Sequence, residues 1–156
     1  MAKIYFICGF IGAGKTTYAK KLEKEANAFR FNADEWMIPL FGEHMERELF
    51  DSRLLALKSL FKTSALQMMN LGVSVIFDFG FWKKSDRVDI ANWAKENSLE
   101  FEVIYLDVDY EECKKRAVNR NNTRGDETYE MTAEMLEMFW SCFELPTPDE
   151  NVVWVK

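Results

Sequence analysis

Gly9-Phe10-Ile11-Gly12-Ala13-Gly14-Lys15-Thr16 fits the pattern GxxxxGK[ST] without deviation. A short β-branched and aromatic run precedes it, and a helical pattern follows. That context argues against a chance glycine turn. Glycines let a backbone wrap closely round phosphate oxygens. The amides from about Gly12 to Thr16 can point inward as an anion nest, reinforced by the partial positive charge of the helix N-terminus. Lys15 can bridge the β- and γ-phosphates, and the Thr16 hydroxyl can ligate Mg²⁺. Gly9, Gly12, Ala13, Gly14, Lys15, Thr16 and Thr17 are therefore expected to hold a nucleoside triphosphate.

Two carboxylates stand at the ends of apolar runs. Asp78 follows Val73-Ser74-Val75-Ile76-Phe77, a Walker B arrangement that brings a carboxylate to the metal. It could orient Mg²⁺ through water, hold the acceptor, or cap a loop. Asp34 follows a brief second strand, where a carboxylate faces the γ-phosphate and can accept a proton from an attacking hydroxyl. It could also serve as the N-cap of the next helix, a role compatible with the first. Asp109, with Glu112, reads as a capping box, so Asp107 and Asp109 are set aside.

Arg116 and Arg120 are four residues apart and share a helix face. Phosphoryl transfer needs cations that close over the γ-phosphate, and the polar stretch around 116–128 suits a short lid. The competing explanation is a solvated basic face shared with Lys114 and Lys115. Arg87 is a weaker candidate, able to meet an anionic substrate or merely to pair with an acid. Nothing places His44, the single histidine, in a site. Trp36, Phe79, Phe81 and Trp82 flank the cleft segments as acceptor-pocket walls or plain core.

These residues need a scaffold. Strands are expected at 3–8, 28–31, 73–77, 101–106 and 152–155. Helices are expected at 15–26, 46–71, 85–97, 109–121 and 132–143, with Gly72 ending the long one. Residues 32–34 read as a turn or cap. Such alternation gives an α/β fold with helices on both faces of a parallel sheet, and ligands at the carboxyl ends of its strands.

Composition sets bounds. The 156 residues suit one domain, 1–156, with enough apolar material for a core. A net charge of −6 disfavours general nucleic-acid binding, which rests on many Lys and Arg contacts to phosphate. Cys8, Cys113 and Cys142 form neither a disulfide framework nor a zinc motif, which suits a reducing, cytoplasmic setting. The first apolar run is too short for a membrane span and reads as a strand.

Five segments carry a family resemblance: GFIGAGKTT, FNADEW, VIFDFGFW, YLDVDYEECKKRAVNRN and FELPTPDENVVWV. The chain resembles the small P-loop kinases grouped with polynucleotide 5′-kinase, zeta-toxin and chloramphenicol phosphotransferase, including bacterial AAA-type ATP-binding kinases. The resemblance implies a three-layer, nucleoside-monophosphate-kinase-like fold with strand order 2-3-1-4-5. It implies ATP as donor, Asp34 as base, and Arg116 and Arg120 as lid arginines. Polynucleotide kinases usually carry Arg three residues after the base; here that position is Met37. The expectation is an ATP- and Mg²⁺-dependent kinase of a small hydroxylated molecule. A polynucleotide 5′-hydroxyl kinase and a non-catalytic ATP-binding module are the alternatives.

Overall fold

The computed structural model describes residues 1–122 and 130–156. In chain order the elements are β1 (Ile4–Cys8), α1 (Lys15–Ala26), β2 (Ala28–Phe31), α2 (Ala33–Phe41), α3 (Arg47–Asn70), β3 (Ser74–Gly80), α4 (Lys84–Glu96), β4 (Phe101–Leu106), α5 (Tyr110–Arg120), α6 (Ala133–Cys142) and β5 (Val152–Val155). The strands form one parallel five-stranded sheet in the order β2-β3-β1-β4-β5. This is the expected 2-3-1-4-5 arrangement.

The central strands are covered on both faces, so they read as continuous apolar runs. Ile4, Phe6 and Ile7 of β1, Val75, Ile76 and Phe77 of β3, and Val103 and Ile104 of β4 are all buried. The edge strands β2 and β5 keep exposed residues, Phe29, Val153 and Trp154 among them. Phe77 packs against Phe31 and Trp93, on the side of α4, while its neighbour Asp78 meets Thr16 of α1. Successive side chains of β3 thus serve opposite layers, apolar core on one and polar site on the other.

The structure differs from the sequence expectation at two places that matter. First, β3 does not stop before Asp78. It runs to Gly80, and its pairing to β1 shifts register, Phe6 facing Phe77 but Cys8 facing Gly80. The extra residue is a bulge over Asp78-Phe79, and such bulges re-aim side chains. Gly80 lies at a φ of 95°, in the left-handed region that suits glycine.

Second, residues 32–34 are not merely a turn, because α2 begins there. Asn32, not Asp34, is the N-cap: its side chain accepts from the Glu35 amide at 3.1 Å. Asp34 and Glu35 occupy the first turn, where carboxylates favour the helix dipole. Pro39 inside this short helix hid its extent from the sequence pattern. Asp109 does cap α5, accepting from the Glu112 amide at 2.9 Å.

Candidate active site

The glycine-rich loop turns tightly between β1 and α1. Gly12 and Gly14 take positive φ values of 83° and 92°. At Gly12 the constraint is also spatial. A Cβ there would stand 2.2 Å from the carbonyl oxygen of Cys113, so the loop lies directly against the backbone of α5. Gly9 donates its amide to the Gly80 carbonyl at 3.0 Å, joining the loop to the end of β3. Lys15 folds back and donates to the Phe10 carbonyl at 2.9 Å. Burial lowers its pKa, while Asp78 and Asp34 pull it the other way.

Beside the loop sits a polar knot. Oδ2 of Asp78 accepts from the Thr16 hydroxyl at 3.1 Å and from the Asn32 side-chain amide at 3.0 Å. Arg30 approaches the same oxygen at 3.7 Å while pairing Glu23 at 2.9 Å and Glu35 at 3.0 Å. Asn32 therefore does two jobs, capping α2 with its oxygen and holding Asp78 with its nitrogen. Oδ1 of Asp78 is buried without a partner. A Thr hydroxyl that donates to a carboxylate leaves its own lone pairs free for a cation. The orphaned oxygen and that hydroxyl suit Mg²⁺, which takes few protein ligands and completes its shell with water and phosphate. Among the described residues no larger group of His, Cys, Asp or Glu gathers as a metal site.

Asp34 rises from the first turn of α2 towards the same centre. Burial lifts its pKa from 3.8 to about 6, Asp78 adds to the rise, and Lys15, Arg120 and Lys58 oppose it. Arg120, on the last turn of α5, is itself lowered by burial and raised by Asp34. The structure thus gathers Lys15, Asp34, Asp78, Thr16 and Arg120.

Arg116 stands apart from them. Its guanidinium lies alongside Gly14 and pairs Glu112 at 3.4 Å, with much of the side chain in solvent. It lines a cavity of about 550 Å³ with Ala13, Gly14, Thr17, Tyr18 and Val155. The expected lid begins on α5 at 116; its stretch 123–128 lies outside the described residues.

Other candidates sort differently. Arg87 is buried, pairs Glu150 at 2.6 Å and donates to the Phe81 carbonyl at 2.9 Å, so it braces the core. Phe81 is buried, and Trp82 packs on Phe10 and Phe139; neither forms an open wall. Trp36 is 42% exposed beside Asp34, and Phe79 is partly buried beneath the ring of Phe61.

Sequence reasoning missed Arg30, Asn32 and Lys58. The cap signal of Asn32 was readable. Arg30 sits mid-strand, and Lys58 is one of several cations on α3. Only the folded chain brings those two to the carboxylates.

The fold and this loop together define a P-loop, kinase-like α/β chain. It belongs to the AAA_33 family, described as an AAA domain, whose family model matches residues 4–146. Solved structures share the fold. One chain of the Pnkp1/Rnl/Hen1 RNA repair complex is similar at TM-score 0.70 and 19% identity, covering 90% of this chain. This chain spans 43% of that longer one. Kti12 of Chaetomium thermophilum, solved with ADP-AlF3, is similar at TM-score 0.69 and 18% identity, covering 97% of this chain and 88% of that one. A gluconokinase of Sinorhizobium meliloti 1021 is similar at TM-score 0.63 and 13% identity, covering 99% and 81%. No curated protein matches the sequence.

Proposed function

We propose that this chain is an ATP-dependent kinase that transfers the γ-phosphoryl group to a hydroxyl of a small molecule. The observation that carries this reading is Asp34, a carboxylate tuned to about 6 beside Lys15 and Arg120. A base of that pKa is ionised at neutral pH and still basic enough to take a hydroxyl proton. The acceptor oxygen forms a bond to the γ-phosphorus as Asp34 takes its proton. The bond from the γ-phosphorus to its bridging oxygen breaks, and ADP leaves. Lys15 exchanges its bond to the Phe10 carbonyl for the phosphates, and Arg120 neutralises charge developing on the transferred group. Arg116 and Thr17 flank the nucleoside. Thr16 and Asp78 would hold Mg²⁺, which would supply further positive charge to the phosphates.

The unpaired thiols of Cys8, Cys113 and Cys142 suit a reducing compartment, and we place the protein in the cytoplasm. The small-acceptor reading gains support from Met37. That side chain is fully buried, so the position expected to carry a phosphate-binding Arg in polynucleotide kinases points into the core.

The test is ADP release from ATP–Mg²⁺ across nucleosides, sugars, sugar acids, antibiotics and 5′-hydroxyl oligonucleotides, with Asp34→Asn alongside. Stimulation by a small acceptor, lost in the variant, supports the reading. Stimulation by oligonucleotides alone would replace it with a 5′-hydroxyl nucleic-acid kinase. Tight ATP binding with no stimulated turnover would leave an ATP-binding module.

A further inference from the structure

Among the described residues Lys58 is a cation near the site whose charge has no close partner. Two buried guanidiniums are neutralised directly: Arg30 meets Glu23 at 2.9 Å and Arg87 meets Glu150 at 2.6 Å. Lys58 is partly buried, yet among the described residues it makes no hydrogen bond and no ion pair. Its ammonium rests 5.3 Å from the centroid of the Phe79 ring. The carboxylates it feels, Asp86 and Asp34, act only from beyond ion-pair distance, and burial lowers its pKa.

The ring beneath it is held rigidly. Phe79 stacks on Phe77 at 4.7 Å and on Phe61 at 5.7 Å, and Phe61 carries Trp36 edge-on at 5.0 Å. Trp36 is substantially exposed and shares the first turns of α2 with Asp34. A run of aromatic rings therefore links the first turns of α2 to the ring beneath the ammonium, exposed at Trp36 and buried at Phe61. Of the other aromatic-stacked cations of α3, Arg53 lies over Phe41, while Lys62, one turn on from Lys58, lies over Trp93 and its charge also lowers the Lys58 pKa.

A partly desolvated ammonium without a counter-ion is unfavourable unless something anionic completes it. Neither Asp86 nor Asp34 is that partner, because both stand beyond ion-pair reach. We propose that Lys58, set over Phe79 beside Asp34, reads an anionic group on the acceptor. The acceptor is then a small hydroxylated molecule that carries a carboxylate or a phosphate ester. The location of this subsite rests on Asp34 being the base of the proposed kinase.

The experiment saturates the phosphate loop with a non-hydrolysable ATP analogue and Mg²⁺, then titrates matched pairs by calorimetry. The pairs are glycerol 3-phosphate with glycerol, ribose 5-phosphate with ribose, and gluconate with glucitol. One charge-assisted contact corresponds to about 10- to 100-fold in affinity. The anionic member of at least one pair is expected to bind tighter by that factor. Lys58→Met should erase the difference, and Lys58→Arg should keep part of it. The phosphate and carboxylate pairs separate the two anion types. If no pair shows a charge preference, or if the preference survives Lys58→Met, the proposal is overturned. Phosphoryl transfer to the same compounds is scored separately. A preference lost in Lys58→Met without any transfer keeps the anion subsite and sinks the kinase reading. Transfer to neutral members alone does the reverse.

Discussion

The Thr16 hydroxyl donates a hydrogen bond of 3.1 Å to Oδ2 of Asp78, tying the helix that opens in the phosphate loop to the adjacent strand. Asn32 reaches the same oxygen from the cap of α2 at 3.0 Å. Three segments far apart in sequence therefore converge on one carboxylate. If Asp78 serves the metal, Mg²⁺ should tighten nucleotide binding at least about 10-fold in the wild type, from the worth of one charge-assisted contact. In Asp78→Asn that gain should vanish. Calorimetric titration of an ATP analogue with and without Mg²⁺ checks this; an undiminished Mg²⁺ effect in the variant would reassign Asp78 to the acceptor.

Asp34 sets the expected pH dependence. Its pKa rises from 3.8 to about 6, chiefly through burial. Turnover should climb with pH through about 6 as the carboxylate ionises, then level off. The stability sign is the opposite. Between 3.8 and about 6 the folded protein holds a proton that the unfolded chain has lost, so Asp34 subtracts stability as pH rises through that window. The whole penalty is about 3 kcal/mol at most. Asp34→Asn lacks it. The melting temperature of the variant relative to wild type should therefore increase from pH 4 to pH 7, while transfer is lost and ATP binding persists. A gap that shrinks with pH would mean that Asp34 is not desolvated.

The two arginines of α5 should separate kinetically. Arg120 lies in the field of Asp34, whereas Arg116 flanks Gly14 at the cavity. Arg120→Ala should lower kcat by about 10³-fold, the lower range for a transition-state arginine. Because Arg120 opposes the rise in the Asp34 pKa, its loss should also move the rate midpoint upward. Arg116→Ala should act mainly on KM for ATP. Rate profiles with saturating and limiting ATP distinguish these outcomes.

Gly12 admits no side chain. A Cβ would meet the Cys113 carbonyl oxygen at 2.2 Å, and the φ of +83° is strained for any L residue. Gly12→Ala must separate the loop from α5 and should cost about 1–3 kcal/mol with a marked loss of nucleotide affinity. Thermal melting with a nucleotide titration checks both. The control is Arg87→Met, which leaves Glu150 without its buried partner and should cost about 3–5 kcal/mol. Pairing it with Glu150→Met should recover much of that loss, as expected of a core ion pair with no part in substrate binding.

Much of this architecture was legible in the sequence. The phosphate loop is contiguous, so its residues declare themselves by spacing, and the strand–helix alternation fixes the sheet class. The Asp78 strand was readable as far as Phe77. Its continuation was not, because a bulge breaks the period of two that marks a strand. A helix after Asp34 was readable as a cap signal, but the extent of α2 was not, because Pro39 interrupts the pattern on which a helix is recognised. Arg87 stood open between a ligand and a brace, and its partner Glu150 lies 63 residues away. The spatial knot of Arg30, Asn32 and Asp78, like the placement of Lys58 over Phe79, is tertiary. No local pattern encodes it.

Phosphoryl transfer to a small hydroxyl compound, with Asp34 as base, leaves a signature on the γ-phosphorus of ATP. The most direct measurement follows the γ-phosphorus of ATP by ³¹P NMR in the presence of Mg²⁺ and pooled small acceptors, for wild type and Asp34→Asn. A new phosphate-ester resonance, matched by ADP, is expected from the wild type, and neither from the variant. Inorganic phosphate as the sole product, or an ester formed equally well by Asp34→Asn, would contradict it.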